Sequence, residues 1–316
     1  MFFSVIIPVY NRPQEINELL DSLVKQECKQ FEVIIVEDGS EVSCKHIVDA
    51  FIDQLHIQYF FQDNSGQGFA RNFGMKKAKG DYFVLFDSDC VVPSSYFRKL
   101  KEAIVSRKLD AHGGPDAAAS DFSNFQKAIN FSMTSFWTTG GIRGKVVDPK
   151  KYQARGYNMG LSKEVFEKTQ GFVDANKGED IELSIRIKDK GYNLELVREA
   201  YVYHKRRNDF NSFLKQSYSF GGNRVNVNRY HPGSIKLVHL MPMFFLLALV
   251  ITVTSSMFCL PLLKLGATVF GLWTIGVFVS SSIHNSSIFV GMISIFTSYG
   301  QLLAYGLGLL VQLLKR

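Results

Sequence analysis

The sequence predicts an α/β domain, a doubly wound and mostly parallel sheet, followed by C-terminal transmembrane helices. Three observations predict it. Short β-branched runs alternate with helical stripes from Phe3 onward, every Asp and Glu lies before Leu237, and three long apolar stretches fill the last quarter. The bulk charge of +7 hides this division, because beyond Lys236 the only formal charges are Lys264, Lys315 and Arg316. We therefore expect a globular domain over residues 1–235 and a membrane region of about three hydrophobic helices over 236–316.

The elements follow in order. Phe3 to Val9 reads as a buried strand, and Gln14 to Gln26 carries a helical stripe at Ile16, Leu19, Leu20 and Leu23. Phe31 to Val36 is a second strand, closed by Glu37-Asp38-Gly39-Ser40. Ile47 to Leu55 reads as a helix, Ile57 to Phe61 as a third strand, Gly68 to Lys79 as a helix and Tyr82 to Phe86 as a fourth strand. Strands alternating with helices imply a mainly parallel sheet, whose ligands sit at the C-terminal strand ends. Asp38, Asp63, Asp87 and Asp89 all fall there.

The apolar stretches run from about Leu240 to Leu263, Leu265 to Ile283 and Ile288 to Leu314. Each is long enough for a bilayer core, which takes about 20 apolar residues in a helix. Pro242 and Pro261 are expected near the ends of the first. Lys205, Arg206, Arg207, Lys215, Arg224, Arg229 and Lys236 precede this region, against Asp209 alone, which fits the cytoplasmic side of a first span and anionic membrane lipids. Three full spans would put Lys315 and Arg316 on the far side, against the same rule; either one stretch lies in the interface or is re-entrant, or this pair does not decide the topology. The N-terminus lacks a positive region and meets Asn11, Arg12 and Glu15 early, so it reads as a strand and not a signal peptide. The N-terminal domain is expected in the cytoplasm, at the inner face of the cell membrane, and no nucleic-acid partner is expected. Cys28, Cys44, Cys90 and Cys259 show neither zinc spacing nor a disulfide framework.

Several residues are candidates for chemistry. Asp87-Ser88-Asp89 leaves an apolar strand directly, and two carboxylates there call for a cation. Mg²⁺ held by one or two carboxylates plus substrate phosphates would meet that need; an ordinary polar turn is the alternative. Asp38 can bond a base or ribose edge, or cap a turn. Gly66-Gln67-Gly68-Phe69-Ala70-Arg71 opens a helix and invites a phosphate reading, but Arg71 stands where a dinucleotide fingerprint has its third small residue. Gly178-Glu179-Asp180 starts a helix, where the acids either cap it or serve as a base toward a hydroxyl. His204 ends a strand and is either structural, a metal ligand or a phosphate contact.

Together these segments resemble the family 2 glycosyltransferases of the GT-A fold. The resemblance runs through Val5-Ile6-Ile7-Pro8-Val9-Tyr10-Asn11, Val36-Glu37-Asp38-Gly39-Ser40, Asn64 to Asn72, Gly80-Asp81-Tyr82 with Asp87-Ser88-Asp89, Gly156-Tyr157-Asn158-Met159-Gly160, Gly171-Phe172 and Gly178-Glu179-Asp180-Ile181-Glu182-Leu183. It covers roughly residues 3 to 205. It implies that Pro8, Tyr10 and Asp38 line a nucleoside pocket, that Asp87 and Asp89 contact ribose, diphosphate and a divalent cation (Mg²⁺ or Mn²⁺), that Asp180 is the general base and that Glu179 shapes the acceptor side. Arg71 is placed with the donor and His204 with the metal. The implied reaction inverts the anomeric centre of a nucleotide sugar, with UDP as the expected nucleotide. The sequence departs from the family at Glu37, often Asp, and at Gln216, which is not followed by the Arg-Trp of processive synthases. That predicts single additions, with Tyr218, Gly221, Gly222 and Arg224 in an acceptor-side segment. Phe122 to Gly141, rich in Phe, Ser and Thr with Trp137, reads as an acceptor-side stretch near the bilayer or as an ordinary packed helix. The anchor and the basic approach suggest a lipid-linked saccharide acceptor in envelope glycan or polysaccharide synthesis. A phosphatase is disfavoured, since such enzymes carry Asp-x-Asp at their first strand; a non-enzymatic nucleotide-binding scaffold of the same fold is the alternative.

Overall fold

The computed structural model describes residues 1–117, 122–140, 148–149, 152–204 and 207–315. The elements run β1 (Phe3–Val9), α1 (Pro13–Val24), β2 (Phe31–Asp38), α2 (Lys45–Asp49), β3 (Ile57–Gln62), α3 (Gln67–Lys77), β4 (Tyr82–Phe86), β5 (Cys90–Val91), α4 (Tyr96–Arg107), β6 (Ala111–Gly113) and β7 (Asp116–Ala117). They continue with α5 (Asn124–Thr134), α6 (Phe136–Thr139), β8 (Asn158–Ser162), α7 (Lys163–Thr169), α8 (Glu179–Asp189), β9 (Leu194–Leu196), β10 (Val202–His204), α9 (Phe210–Tyr230), α10 (Leu237–Ser255), α11 (Leu260–His284) and α12 (Ile288–Leu314). By packing they form two units: β1–β10 with α1–α4, α7 and α8, and α5, α6 and α9–α12.

The first unit is built on a seven-stranded sheet of order β3-β2-β1-β4-β8-β6-β9. β1 is parallel to β2 and β4, whereas β8 is antiparallel to β4 and β6. Val5, Ile7, Val33 and Ile35 pack toward α1 and α4, while Ile6, Ile34, Val36 and Leu85 pack toward the opposite core. Burial on both faces explains why these strands read as unbroken apolar runs. The chain builds β2 and β3 to one side of β1, then crosses to β4 on the other, so the strand order reverses between β1 and β4. The loops leaving those two strands therefore border the crevice where such sheets bind ligands.

A buried polar network fixes β4, α4, β6 and β8 beneath that crevice. The Tyr96 hydroxyl donates to Asn158 Oδ1 at 2.6 Å, so it accepts from His112 Nε2 at 3.2 Å, and His112 Nδ1 accepts from the Tyr82 hydroxyl at 3.0 Å. Burial pushes His112 down to about 3, which keeps the ring neutral as this pattern needs. A second sheet, β5-β10-β7, sets His204 opposite Cys90.

Several boundaries of the sheet unit shift from the sequence reading, most by one or two residues, and two of the differences have a plain cause. Strand β2 extends through Asp38, because both Glu37 and Asp38 are buried and paired. Helix α2 closes at Asp49, where i→i+3 bonds from Ala50 and Phe51 tighten the chain into turns.

In the second unit α9 runs beside α12 at backbone contact. A Cβ on Gly308 would lie 2.0 Å from Tyr218 O, and one on Gly221 2.0 Å from Tyr305 O. Residues 207–235, grouped from sequence with the sheet domain, thus pack with the apolar helices. Helices α10, α11 and α12 are each long and apolar enough to cross a membrane. The first ends at Ser255 and not at Leu263, and the turn before Cys259 separates it from α11. Pro261 therefore starts the second helix, where its fixed φ is suited, and Pro242 lies inside the first. Helix α5 buries Ala128 and Ile129, whereas α6 leaves Phe136 76% exposed. Gly141, Lys205, Arg206 and Arg316, named above, lie outside the described residues.

Candidate active site

Two ion-paired clusters stand at the C-terminal edge of β1 and β4, joined by the backbone of Asp87-Ser88-Asp89. In the first, Arg12 Nη1 approaches Asp89 Oδ2 to 2.5 Å and His204 Nε2 lies 3.1 Å from Asp89 Oδ1. Burial alone would raise the Asp89 carboxyl, but His204 and Arg12 hold it well below the usual carboxylate range. Asp89 Oδ1 is buried without a hydrogen bond, since His204 sits beside it at ion-pair distance but off hydrogen-bond geometry. The His204 ring stacks on Tyr157 with centroids 4.7 Å apart. Ligand atoms of Asp89, Cys90 and His204 lie within 4.8 Å of one another.

In the second cluster Arg71 is 1% exposed. Its Nη2 meets Asp87 Oδ1 at 2.5 Å and its Nη1 meets Glu179 Oε1 at 3.3 Å. Phe172 lies under the guanidinium at 5.4 Å. Gly156 covers it from another side, where a Cβ would come within 2.7 Å of both terminal nitrogens. Gly156 N also donates to Asp180 Oδ2 at 3.2 Å, so a chain of contacts links Asp180 through Gly156 and Arg71 to Asp87. Burial, reinforced by Asp180, raises Glu179 to about 7 against the pull of Arg71. Gln67 Nε2 donates to the same Glu179 oxygen at 2.7 Å.

The remaining candidates are placed as follows. Pro8 is half-buried in β1, and Tyr10 just beyond it is 51% exposed. Asp38 directs both oxygens into the loop after β3, accepting from Ser65 N at 2.9 Å, Gly66 N at 2.8 Å and Gln62 Nε2 at 2.7 Å. The start of α3 is not a phosphate cradle: its first N–H groups are taken by Asp38, by Asn176 Oδ1 and by Ala175 O. Arg71 is no exposed helical arginine either, but the most buried cation of the site. Asp63 stands apart, lining a cleft of ≈ 430 Å³ with Gln62, Ser65 and Phe69. Gly221 packs α9 onto α12.

Arg12, Gly156, Tyr157 and Gln67 were not among the expected site residues. The adjacency of β1 and β4 could have pointed to Arg12, since it places the Tyr10-Asn11-Arg12 loop beside Asp87-Ser88-Asp89. The other three touch the site only through tertiary packing.

A mixed, mostly parallel sheet with paired acids at its reversal point has the GT-A fold, the class of the nucleotide-diphospho-sugar transferases. Residues 4–170 match glycosyl transferase family 2, and the chain belongs to that family. The glycosyltransferase AglE of Haloferax volcanii is 25% identical over 243 residues, covering 72% of this chain and 74% of AglE. The glycosyltransferase GlyA of Streptococcus pneumoniae serotype 4 is 35% identical over 108 residues, 34% of this chain but 16% of GlyA. The chain thus corresponds to a minor part of that relative, and likewise to 32% of the uncharacterized glycosyltransferase EpsJ of Bacillus subtilis. Among solved structures, the mannosyltransferase PcManGT of Pyrobaculum calidifontis with GDP-Man and Mn²⁺ aligns with a TM-score of 0.66 at 17% identity, over 94% of this chain and 86% of that one. TarS 1-349 of S. aureus with UDP-GlcNAc aligns with a TM-score of 0.51 at 18% identity, over 96% and 90%.

Proposed function

We propose that this chain is an inverting glycosyltransferase that moves one sugar at a time from a nucleotide-diphosphate donor, UDP in our reading, to the hydroxyl of a lipid-linked saccharide in envelope glycan or polysaccharide synthesis. One observation carries the proposal. Asp87 and Asp89 sit side by side at the reversal point of the sheet, each held by its own arginine, and Asp180 is tied to the same construction through Gly156. Surface turns do not need two buried or half-buried cations to hold them; a site that receives a polyanion and its counter-ion does. The names of AglE and GlyA, and the nucleotide sugars bound by PcManGT and TarS, support the donor class.

The donor set suits a hard divalent cation. Asp89 and Asp87 offer the carboxylate oxygen that Mg²⁺ or Mn²⁺ takes, and His204 stands beside Asp89 as a further, nitrogen donor. Cys90 is committed elsewhere, its thiol donating to Tyr157 O at 3.4 Å, and a soft sulfur is a poor match for such a cation. A cation bound there would neutralise charge on the departing diphosphate. Arg12 and Arg71 keep the two carboxylates aimed before the donor arrives. Asp180 accepts the proton of the acceptor hydroxyl as its oxygen bonds to the anomeric carbon and the bond to the diphosphate breaks. The nucleoside lies against Pro8, Tyr10 and the loop that Asp38 braces. Glu179, half-protonated near neutrality, shapes the acceptor side without adding a full second negative charge beside Asp180.

In our reading the three apolar helices anchor the chain at the inner face of the cell membrane, where a lipid-borne acceptor is available; their length and composition support this. Calorimetric titration of the detergent-purified protein with UDP, with and without Mn²⁺, tests the site. Metal-dependent affinity that falls at least tenfold in Asp89→Ala is expected; equal affinity without metal and in the variant would contradict it. Intact metal-dependent binding without sugar transfer to any lipid-linked or soluble acceptor would favour the scaffold.

A further inference from the structure

We infer that α12 does not cross the bilayer: it lies in the plane of one membrane face, so that the anchor is a two-helix hairpin of α10 and α11 and both ends of α12 stay on the face where α10 begins. The contacts within the second unit set the levels. Helices α10 and α11 are antiparallel: Thr252 packs on Gly266 near the turn, where a Cβ would lie 2.4 Å from Thr252 Cγ2, and Phe245 packs on Phe270 and Trp273 with centroids 5.1 and 4.9 Å apart. The last residues of α11 therefore return to the level at which α10 starts. Helix α12 begins there, where a Cβ on Gly291 would lie 3.0 Å from Phe278 O. At Tyr299 it meets Thr274 at 2.9 Å and Trp273 with centroids 4.9 Å apart. At Gly306 it is back against Pro242, the sixth residue of α10, where a Cβ would lie 2.5 Å from Pro242 O.

At these contacts α12 stays between Leu237 and Phe245 on α10, about 12 Å of helix rise. A span of a core about 30 Å thick would have to climb to the level of Thr252 and beyond. Its second half runs beside α9 instead, with Gln312 Nε2 on Asn226 Oδ1 at 2.8 Å and Arg229 Nη2 on Lys315 O at 2.7 Å. Six residues after Tyr230 the chain enters α10, so the end of α9, the start of α10 and the end of α12 share one face.

The faces of α12 agree with this placement. Phe289, Met292, Phe296, Leu307 and Leu314 are exposed on one stripe at helical spacing. Ser294, Thr297 and Ser298 are buried on the opposite stripe, where Ser132 of α5 bonds Thr297 at 2.6 Å and Ser298 at 3.1 Å. An apolar stripe toward hydrocarbon and a polar stripe under covering helices is the pattern of an in-plane helix. The placement also removes the charge conflict of three spans. Arg229, Lys236 and Lys315 gather on one face, where anionic head groups attract them, and Lys264 alone is left toward the other.

Labelling by a membrane-impermeant maleimide, in sealed vesicles of the two opposite orientations and mapped by mass spectrometry, tests this without reference to activity. Pro232→Cys and Lys315→Cys should both react from one face, and native Cys259, in the turn between α10 and α11, from the other. Lys315→Cys reacting from the face of Cys259 would establish three spans and overturn the inference. Lys315→Cys reached only after detergent, or Cys259 reacting from the face of Pro232→Cys, would overturn it as well.

Discussion

Arg71 holds the site together, because its one planar cation fits between Asp87 and Glu179 and pairs with both. Removing it leaves two carboxylates short of a partner in a buried place, which costs about 3–5 kcal/mol in comparable pairs. Arg71→Ala should lose that much stability in thermal or denaturant unfolding, and Arg71→Lys most of it, since an ammonium cannot fork to two acids. A loss below about 1 kcal/mol would remove Arg71 from this role. Gly156→Ala should act on the same group, because its Cβ would press the guanidinium from 2.7 Å. Glu179 makes a pH prediction. Its carboxyl lies at about 7 in the folded chain against an ordinary 4.5, so between those values the folded state binds the extra proton and stability falls as pH rises. Comparing wild type with Glu179→Gln at pH 5 and pH 8 should show this slope, on the order of 2 kcal/mol, only in the wild type. The places of Asp87 and Asp89 after an apolar strand and of Asp180 at a helix start were readable in sequence, whereas the roles proposed for them came from the family resemblance. Arg12 and the burial of Arg71 were not, since each depends on which strands become neighbours.

At the scale of elements, β1 and β4 matched their sequence reading because runs such as Phe3–Val9 are buried on both faces and bounded by polar turns. Strand β10 was read from the apolar residues before His204, whereas β5 and β7, two residues each, carry no such signal, yet β5 pairs His204 with Cys90 beside Asp89. The apolar helices showed their existence by composition but not their breaks, because the turn after Ser255 is made of Ser, Met, Phe and Cys and not of charges or glycine. Helix contacts were equally hidden. A Cβ on Gly308 or Gly221 would come within 2.0 Å of the opposing backbone, so Gly308→Ala must push α9 from α12. It should cost about 1–3 kcal/mol in a detergent melt. Gly271→Ala, with nothing within 4 Å, should be neutral or stabilising; equal effects at the two sites would contradict this packing.

For the whole molecule, an α/β unit of the GT-A fold is joined to a unit with three helices long and apolar enough to cross a membrane, and on our proposal the first aims two acids at a donor. The account's central claim is that these acids and Asp180 perform sugar transfer. The most direct test is release of nucleoside diphosphate from a panel of nucleotide sugars by the detergent-purified protein, given Mn²⁺ and lipid-linked acceptors, beside Asp89→Ala and Asp180→Asn. The account predicts metal-dependent release from one donor, a product of inverted configuration, and a fall of roughly 10²–10⁴-fold in Asp180→Asn with donor binding retained. Release that persists at wild-type rate in both variants would contradict it.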